Sequence, residues 1–463
     1  MTRNVICYNM YITTEVRLCL SRLFAIWASK LTGFVCKLLG KQGLTWSGKI
    51  ALTIDPDILT EMAADVREKI FVVCGTNGKT TINNLLCSTL EGQGKKVICN
   101  HSGSNMLNGA IAAFVLSAKW NGKIDADYAC IEVDEASTLR IFPHFKPDYM
   151  ILNNLFRDQL DRYGEIDITM NLLIDAMRIA PEMTIIVNGD DALSTYLAQE
   201  SGNPYVTYGI QEQVFEEQSI NEIKEGRFCK KCGAKLFYNF YHYSQLGDYH
   251  CPNCDFHRPE LNYNASNVKT GKVLDFDANG EHIHVNYRGF YNVYNILAVY
   301  AAVKEAGIPL QNFNEILGKY NPENGRMEHF SIKGTEIILN LAKNPAGFNQ
   351  NISAVMEDDS PKDLIILIND NDQDGIDVSW LWDVDFDRLG DPSIRSITVS
   401  GIRCQDMRLR LKYVDIPSIL EPDIETAVRK RIADGTGNLY VLVNYTALYS
   451  THNILKRMEG EQS

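Results

Sequence analysis

A chain of 463 residues with 45% apolar content is long enough for two or three domains, each with its own core. A net charge of −13 argues against a general nucleic-acid binder, which needs a basic surface. No run of eighteen apolar residues is present and no secretory pattern opens the chain, so the 12 cysteines are expected as thiols or metal ligands in a reducing cytoplasm, not as disulfides.

The first expected element is a helix over residues 15–40. Val16, Leu20, Leu23, Trp27, Leu31, Phe34 and Leu38 recur at three- and four-residue steps, with Arg17, Arg22, Lys30 and Lys37 between them. Two readings stay open. The helix packs on its own domain, or it is amphipathic and touches an anionic membrane surface or a partner.

Residues 70–74 then read as a buried strand, followed by Gly75-Thr76-Asn77-Gly78-Lys79-Thr80-Thr81 and a helical pattern over 82–90. The two glycines let the backbone turn tightly and approach an anion. Lys79 offers a point charge, Thr80 or Thr81 a hydroxyl for Mg²⁺, and the helix N-terminus faces the phosphates. This is a nucleoside-triphosphate site. The general phosphate-loop pattern would need glycine at 73, where Val73 stands.

Further strands are expected at 96–99, 128–133, 149–152 and 184–187. With the helical patterns between them they predict a mostly parallel, doubly wound sheet. Glu132 falls at the carboxyl end of a strand, where such sheets place ligands, and suits Mg²⁺ beside Thr80. A polar, aromatic insert at about 222–258 carries Cys229, Cys232, Cys251 and Cys254. Two Cys-x-x-Cys knuckles separated by eighteen residues predict a closed, structural Cys₄ zinc ribbon. A helix is expected over 292–306 and a turn-rich hinge at 321–326. A second α/β pattern follows, with strands near 335–339, 364–368, 396–400 and 439–443. Residues 458–463 are expected to fray.

The short Gly-Thr-Asn-Gly-Lys-Thr-Thr loop resembles the Mur ligase family, ATP-dependent enzymes that join an amine to a carboxylate. The resemblance extends to Asn153-Asn154 through Asp158, Asp161, Arg162 and Glu165, with Gln159 in place of the usual histidine. It extends also to Asn188-Gly-Asp190-Asp191, to Tyr291-Asn292-Val-Tyr-Asn295 in the adenine-contacting helix, and to Gly325-Arg326-Met-Glu328. It implies ATP contacts from Asn188, Asn292, Asn295 and Arg326, and Mg²⁺ on Thr80 and Glu132. It implies a Mur ligase-like central ATP-binding domain at 49–320, after an N-terminal helical extension at 1–48. A smaller Rossmann-like α/β domain at 321–463 completes the chain.

Two departures are informative. The family's usual N-terminal UDP-binding domain is missing, and its Asp-x-Ala-His-x-Pro segment has become Asn340-Leu-Ala-Lys343-Asn344-Pro345-Ala-Gly347-Phe-Asn349-Gln350. With the Cys₄ insert, these resemble an amidating branch of the family. That branch implies amidation of the α-carboxylate of D-glutamate in the lipid II stem peptide to D-isoglutamine through an acyl phosphate. Ammonia comes from a GatD-like glutamine amidotransferase subunit. It also implies that Asp377, in Asp377-Val-Ser-Trp380, completes the Cys-His pair of that subunit, with Asp374 the fallback. No nucleophilic triad of the chain's own is visible. Expected cofactors are therefore ATP, Mg²⁺ and Zn²⁺. Expected partners are the amidotransferase and lipid II at the inner membrane face, without nucleic acid. Expected localisation is cytoplasmic, with peripheral contact through residues 15–40 left open. Competing readings are a stand-alone Mur or folylpolyglutamate-type ligase, a zinc-ribbon nucleic-acid-binding NTPase, and a non-catalytic scaffold.

Overall fold

The computed structural model describes residues 2–38, 43–101, 103–158, 166–215, 225–320, 325–434 and 437–461, with side chains from residue 20 onward. Gln159, Asp161, Arg162, Glu165, the start of the cysteine insert and most of the expected hinge lie outside the described residues.

β1 (Lys69–Cys74) is buried from Ile70 onward, as an apolar run between two helical layers must be. It pairs in parallel with β3 (Tyr128–Glu132) on one side and β4 (Tyr149–Leu152) on the other. β2 (Val97–Cys99) extends the sheet beyond β3; β5 (Thr184–Asn188) and β6 (Tyr205–Ile210) extend it beyond β4. The cysteine insert leaves after β6 as a separate hairpin, β7 (Phe237–Tyr243) and β8 (Leu246–His250). The chain returns as β9 (Tyr263–Lys269), parallel to β6, then turns antiparallel through β10 (Leu274–Ala278) and β11 (Glu281–Val285). The sheet order is β11-β10-β9-β6-β5-β4-β1-β3-β2. Its antiparallel arm was not anticipated, because β9 is mostly polar and the alternation of β10 and β11 runs over only five residues each.

β12 (Glu328–Ile332) and β13 (Thr335–Leu341) begin a second sheet as an antiparallel pair. β14 (Lys362–Leu367), β15 (Ile394–Ser400), β16 (Ile419–Leu420) and β17 (Asn438–Val443) complete it in parallel, in the order β12-β13-β17-β14-β15-β16. Separate apolar clusters cover the two faces of each sheet. The final helix, Tyr445–Gly460, runs further than the fraying expected from 458, because Leu455 and Met458 are buried against the second sheet.

The N-terminal helix spans Thr2–Leu38 and packs on the helices Leu44–Ile54 and Leu107–Ser117. Its packed side is Ala25, Ile26 and Ser29, with Ser29 Oγ donating to Ser47 O at 2.8 Å. The apolar stripe read from the sequence faces outward for the most part: Leu20, Trp27, Leu31, Phe34 and Leu38 are exposed. Among the described residues no helix is long and apolar enough to cross a membrane.

Candidate active site

The carboxyl ends of β1, β3 and β4 converge at the phosphate loop. Gly75 and Gly78 both hold positive φ, at 117° and 90°. A Cβ on Gly78 would stand 2.4 Å from Asn295 Oδ1, so only glycine lets the loop meet the helix Tyr291–Glu305. Asn153 and Asn154 fasten the loop from β4: Asn154 Oδ1 accepts from Asn77 N at 2.9 Å, and Asn153 Nδ2 donates to Asn77 O at 2.9 Å.

Lys79 is buried. Its Nζ donates to Gly75 O at 2.6 Å and pairs with Glu135 Oε1 at 3.0 Å. Burial alone would push the ammonium down, but Glu135, Asp134 and Glu132 outweigh it and hold Lys79 above its ordinary value. Glu135 is held below the ordinary carboxylate value: burial opposes this, and Lys79 prevails.

Glu132 Oε1 accepts from Asn105 Nδ2 at 3.1 Å, whereas the buried Oε2 has no hydrogen-bond partner among the described residues. A Cβ built on Gly103 would lie 3.2 Å from Thr80 Oγ1 and 3.5 Å from this Oε2. A hydroxyl and an orphaned carboxylate oxygen thus flank one small gap, a donor set that fits a hard divalent cation. Arg326, entering from the second sheet, donates from Nη2 to Thr80 Oγ1 at 3.4 Å.

Two adjoining cavities share Thr76, Lys79 and Tyr445. One, of about 170 Å³, is lined by the loop residues 76–81, Glu132, Asn295 and Arg326, and flanked by Tyr243 and Tyr291. The other, of about 420 Å³, opens past Asn105, Asp134, Arg140, Arg157 and Asp158. Lys343, which pairs with Asp158, edges both.

Not every expected residue arrives here. Asn292 stands behind Asn295, accepting its Nδ2 at 2.9 Å. Asn188 is fully buried, accepts Asp190 N and lines neither cavity. The acids beside it have structural duties. Asp190 binds Arg258 and the Tyr294 hydroxyl; Asp191 caps the helix Ala192–Ser201 and accepts Gln245 Nε2 at 2.8 Å. Tyr243 and Tyr291 were missed. The aromatic run 237–243 and the tyrosine beside Asn292 were the available signals.

The four insert cysteines do gather. Cys229 and Cys254 sulfurs are 3.6 Å apart, Cys232 and Cys251 sulfurs 3.4 Å, and all four lie within 4.8 Å of one another. Zn–S bonds of about 2.3 Å make tetrahedral edges of about 3.8 Å, so the set fits zinc. Each knuckle is a turn: Gly233 N donates to Cys229 O, and Cys251 N to Phe256 O. Cys87 Sγ also lies 3.9 Å from His101 Nε2, but neither residue lines either of these two cavities, so the pair does not face the site.

Asp377 is exposed, its two oxygens accepting Ser379 N at 2.8 Å and Ser379 Oγ at 2.9 Å. These bonds hold it below the usual carboxylate value. Asp374 is buried, and both its oxygens are taken by Thr446 in the first turn of the final helix. Ile376 is exposed, as are Trp382 and the Tyr413 ring that packs against it at 5.0 Å.

The family described as Mur ligase middle domain matches residues 73–303, and that described as MurT ligase C-terminal matches residues 341–448. The MurT subunit of lipid II isoglutaminyl synthase (glutamine-hydrolyzing) from Staphylococcus aureus is 37% identical over 95% of this chain and 99% of its own length. The chain belongs to the MurT family. The MurT subunit from Streptococcus pneumoniae is 35% identical over 92% of this chain and 95% of its own. Among solved structures, the pseudomurein peptide ligase type C of Methanothermus fervidus aligns with a TM-score of 0.66 at 20% identity, covering 86% of this chain and 80% of that one. MurF from Acinetobacter baumannii aligns at 0.65 and 13%, covering 89% and 80%. These two likenesses show the fold. The MurT chain therefore has a Mur ligase fold, with its cavities where the two sheets meet.

Proposed function

We propose that this chain is the ligase subunit of a lipid II isoglutaminyl synthase, amidating the D-glutamate α-carboxylate with ammonia from a GatD-like glutamine amidotransferase. The observation that carries the reading is the pair of cavities joined at Lys79: a nucleotide place and an acceptor place served by one cation.

The smaller cavity takes ATP, with Tyr243, Tyr291 and Asn295 around the base and residues 75–81 around the phosphates. Thr80 and the orphaned Glu132 oxygen would hold Mg²⁺, which when bound offsets charge on the phosphates. Lys79 and Arg326 bring further positive charge to the transferring phosphoryl group. The acceptor carboxylate takes that group, ADP leaves, and an acyl phosphate forms. Ammonia then attacks the acyl carbon; phosphate departs and the nitrogen gives up a proton. Asp158 and Lys343 border the place where this happens.

A narrow cleft lined by Arg157, Asp158, Lys343, Asp377 and Trp380 lies between that cavity and Asp377. Such a cleft would let ammonia released beside Asp377 reach the acceptor. Asp377 would orient the amidotransferase histidine, and exposed Trp382 and Tyr413 suit an interface anchor. The Cys₄ set holds Zn²⁺ as a structural ion.

The test is reconstitution with a GatD-like amidotransferase, lipid II, ATP and glutamine, with the product read by mass. Conversion of one carboxylate to amide, dependent on both subunits and on ATP, is the expected result. ATP-independent conversion, or none with ammonium supplied, would overturn the reading.

A further inference from the structure

We infer that the outward face of the N-terminal helix docks on an anionic lipid bilayer and sets the acceptor cavity against the membrane surface. The second half of this statement rests on the proposal that the acceptor is lipid II; the first does not.

The face is a single stripe. Leu20, Phe24, Trp27, Leu31, Phe34 and Leu38 follow helical spacing and lie within a narrow arc. Phe24, Leu31, Phe34 and Leu38 are 61 to 72% exposed, although the opposite side of the same helix is fully buried at Ala25, Ile26 and Ser29. The sequence spends large apolar side chains where burial does not use them. Beside the stripe is an open groove of about 1130 Å³, floored by Leu44 and Leu116 and walled by Trp27, Phe34 and Trp120. A row of six exposed large apolar side chains, Leu20 to Leu38, marks an interaction site.

Charge decides which occupant. The first fifty residues hold seven lysines and arginines and one acid, Glu15, in a chain whose net charge is −13. The groove is bordered by Lys30 and Lys37 and by no acid. Among the described residues no carboxylate pairs with Lys30, Lys37 or Lys49. Lys30 and Lys49 instead lie over the Trp120 and Trp46 rings, at 5.6 and 5.4 Å, and Lys30 Nζ also donates to Leu116 O at 2.8 Å, which leaves Lys37 and Lys49 as the exposed cations. Tryptophan rings flanked by lysines, around an apolar stripe, match the headgroup boundary of an anionic bilayer. The cation excess calls for an anionic surface, and the long apolar stripe with its tryptophans favours a bilayer over an acidic protein.

The groove also adjoins the site. Leu44 lines the groove while Thr45 lines the acceptor cavity, and Tyr449 lines the groove while Tyr445, one turn earlier, lines the cavity. An acceptor with a lipid tail would thus keep its tail in the bilayer and its peptide in the cavity.

The test is flotation of the full chain, alone and with its amidotransferase bound, on phosphatidylglycerol–phosphatidylcholine vesicles and on phosphatidylcholine vesicles. Binding to the first, weakening with salt and much weaker on the second, is expected. Leu31→Gln with Phe34→Gln should lower binding by about tenfold or more, and Lys37→Gln with Lys49→Gln, both exposed, should remove the preference for the anionic lipid. Both pairs should melt like the parent, and should amidate a water-soluble short-chain acceptor at the parent rate while slowing on vesicle-embedded lipid II. No flotation of the parent, or variants that float equally, would overturn the inference. So would light scattering or pull-down showing that Leu31→Gln with Phe34→Gln splits a dimer or releases the amidotransferase, because the face would then be a protein interface. Loss of vesicle binding with soluble activity intact separates this inference from the proposed reaction.

Discussion

Glu132 Oε2 has no partner among the described residues, so Glu132→Gln removes a charge without breaking a contact; the Asn105 amide keeps an oxygen to bind. Stability should change by less than about 1 kcal/mol, while ATP-dependent amidation should fall by about 100-fold or more. Calorimetry and product mass check both halves. Lys79→Ala differs. It strands the Glu135 carboxylate in a buried site, at a cost of about 3–5 kcal/mol in addition to the lost activity. The pH dependence gives it away. In the parent, Glu135 is depressed, so its contribution is present above the unfolded carboxylate value and lost as pH falls. In Lys79→Ala, burial without the cation raises Glu135. The folded state then takes up the proton, and stability is lost as pH rises. The melting deficit of the variant against the parent should therefore be smaller at about pH 5 than at about pH 8.

At the scale of elements, the cysteine hairpin is more than an ornament on the sheet. Gln245 donates to Asp191 Oδ1 and, at 2.7 Å, to Leu155 O, and Arg258 pairs with Asp190, so the insert is bolted to β4, β5 and β6. The same hairpin carries Tyr243 to the smaller cavity. Cys251→Ser should lower bound zinc from one per chain, speed amide exchange over β7 and β8, and raise the KM for ATP several-fold while leaving the second sheet's exchange unchanged. Elemental analysis and exchange mass spectrometry read this directly. The phosphate loop and the cysteine knuckles were legible in the sequence because their residues are neighbours along the chain, so spacing alone carries the geometry. Asn188 and Tyr243 were not. Whether a strand-end asparagine reaches a ligand depends on what covers it, and here Asp190 engages it while a tyrosine from a distant hairpin lies at the cavity. The N-terminal stripe was legible as a helix but not in its direction, since the same periodicity serves a packed face and an exposed one.

At the scale of the whole molecule, the carboxyl edges of the two sheets face each other across the cavities. Asn77 and Asn344 exchange amide hydrogen bonds of 3.0 and 3.3 Å, and Arg288 donates to the Tyr440 hydroxyl at 2.6 Å. The loops that follow β13, β14 and β17 thereby bring Lys343, Asp377 and Tyr445 toward the phosphate loop. This geometry separates the two aspartates that sequence left as alternatives. Asp374 is spent on Thr446, so Asp374→Asn should weaken the start of the final helix by about 1 kcal/mol and spare glutamine hydrolysis. Asp377 faces outward, and Asp377→Asn keeps an oxygen for Ser379 N while losing the charge. The assembled complex should keep its stability yet lose glutaminase activity by about 10³–10⁴-fold, as when the carboxylate of a catalytic triad becomes an amide. Ammonium at high concentration bypasses glutamine, so Asp377→Asn should then amidate at the parent rate, whereas Glu132→Gln should not. Full glutaminase activity in an assembled Asp377→Asn complex would rule out a shared triad through this residue. Loss of ammonium-driven amidation would place Asp377 in the ligase chemistry instead.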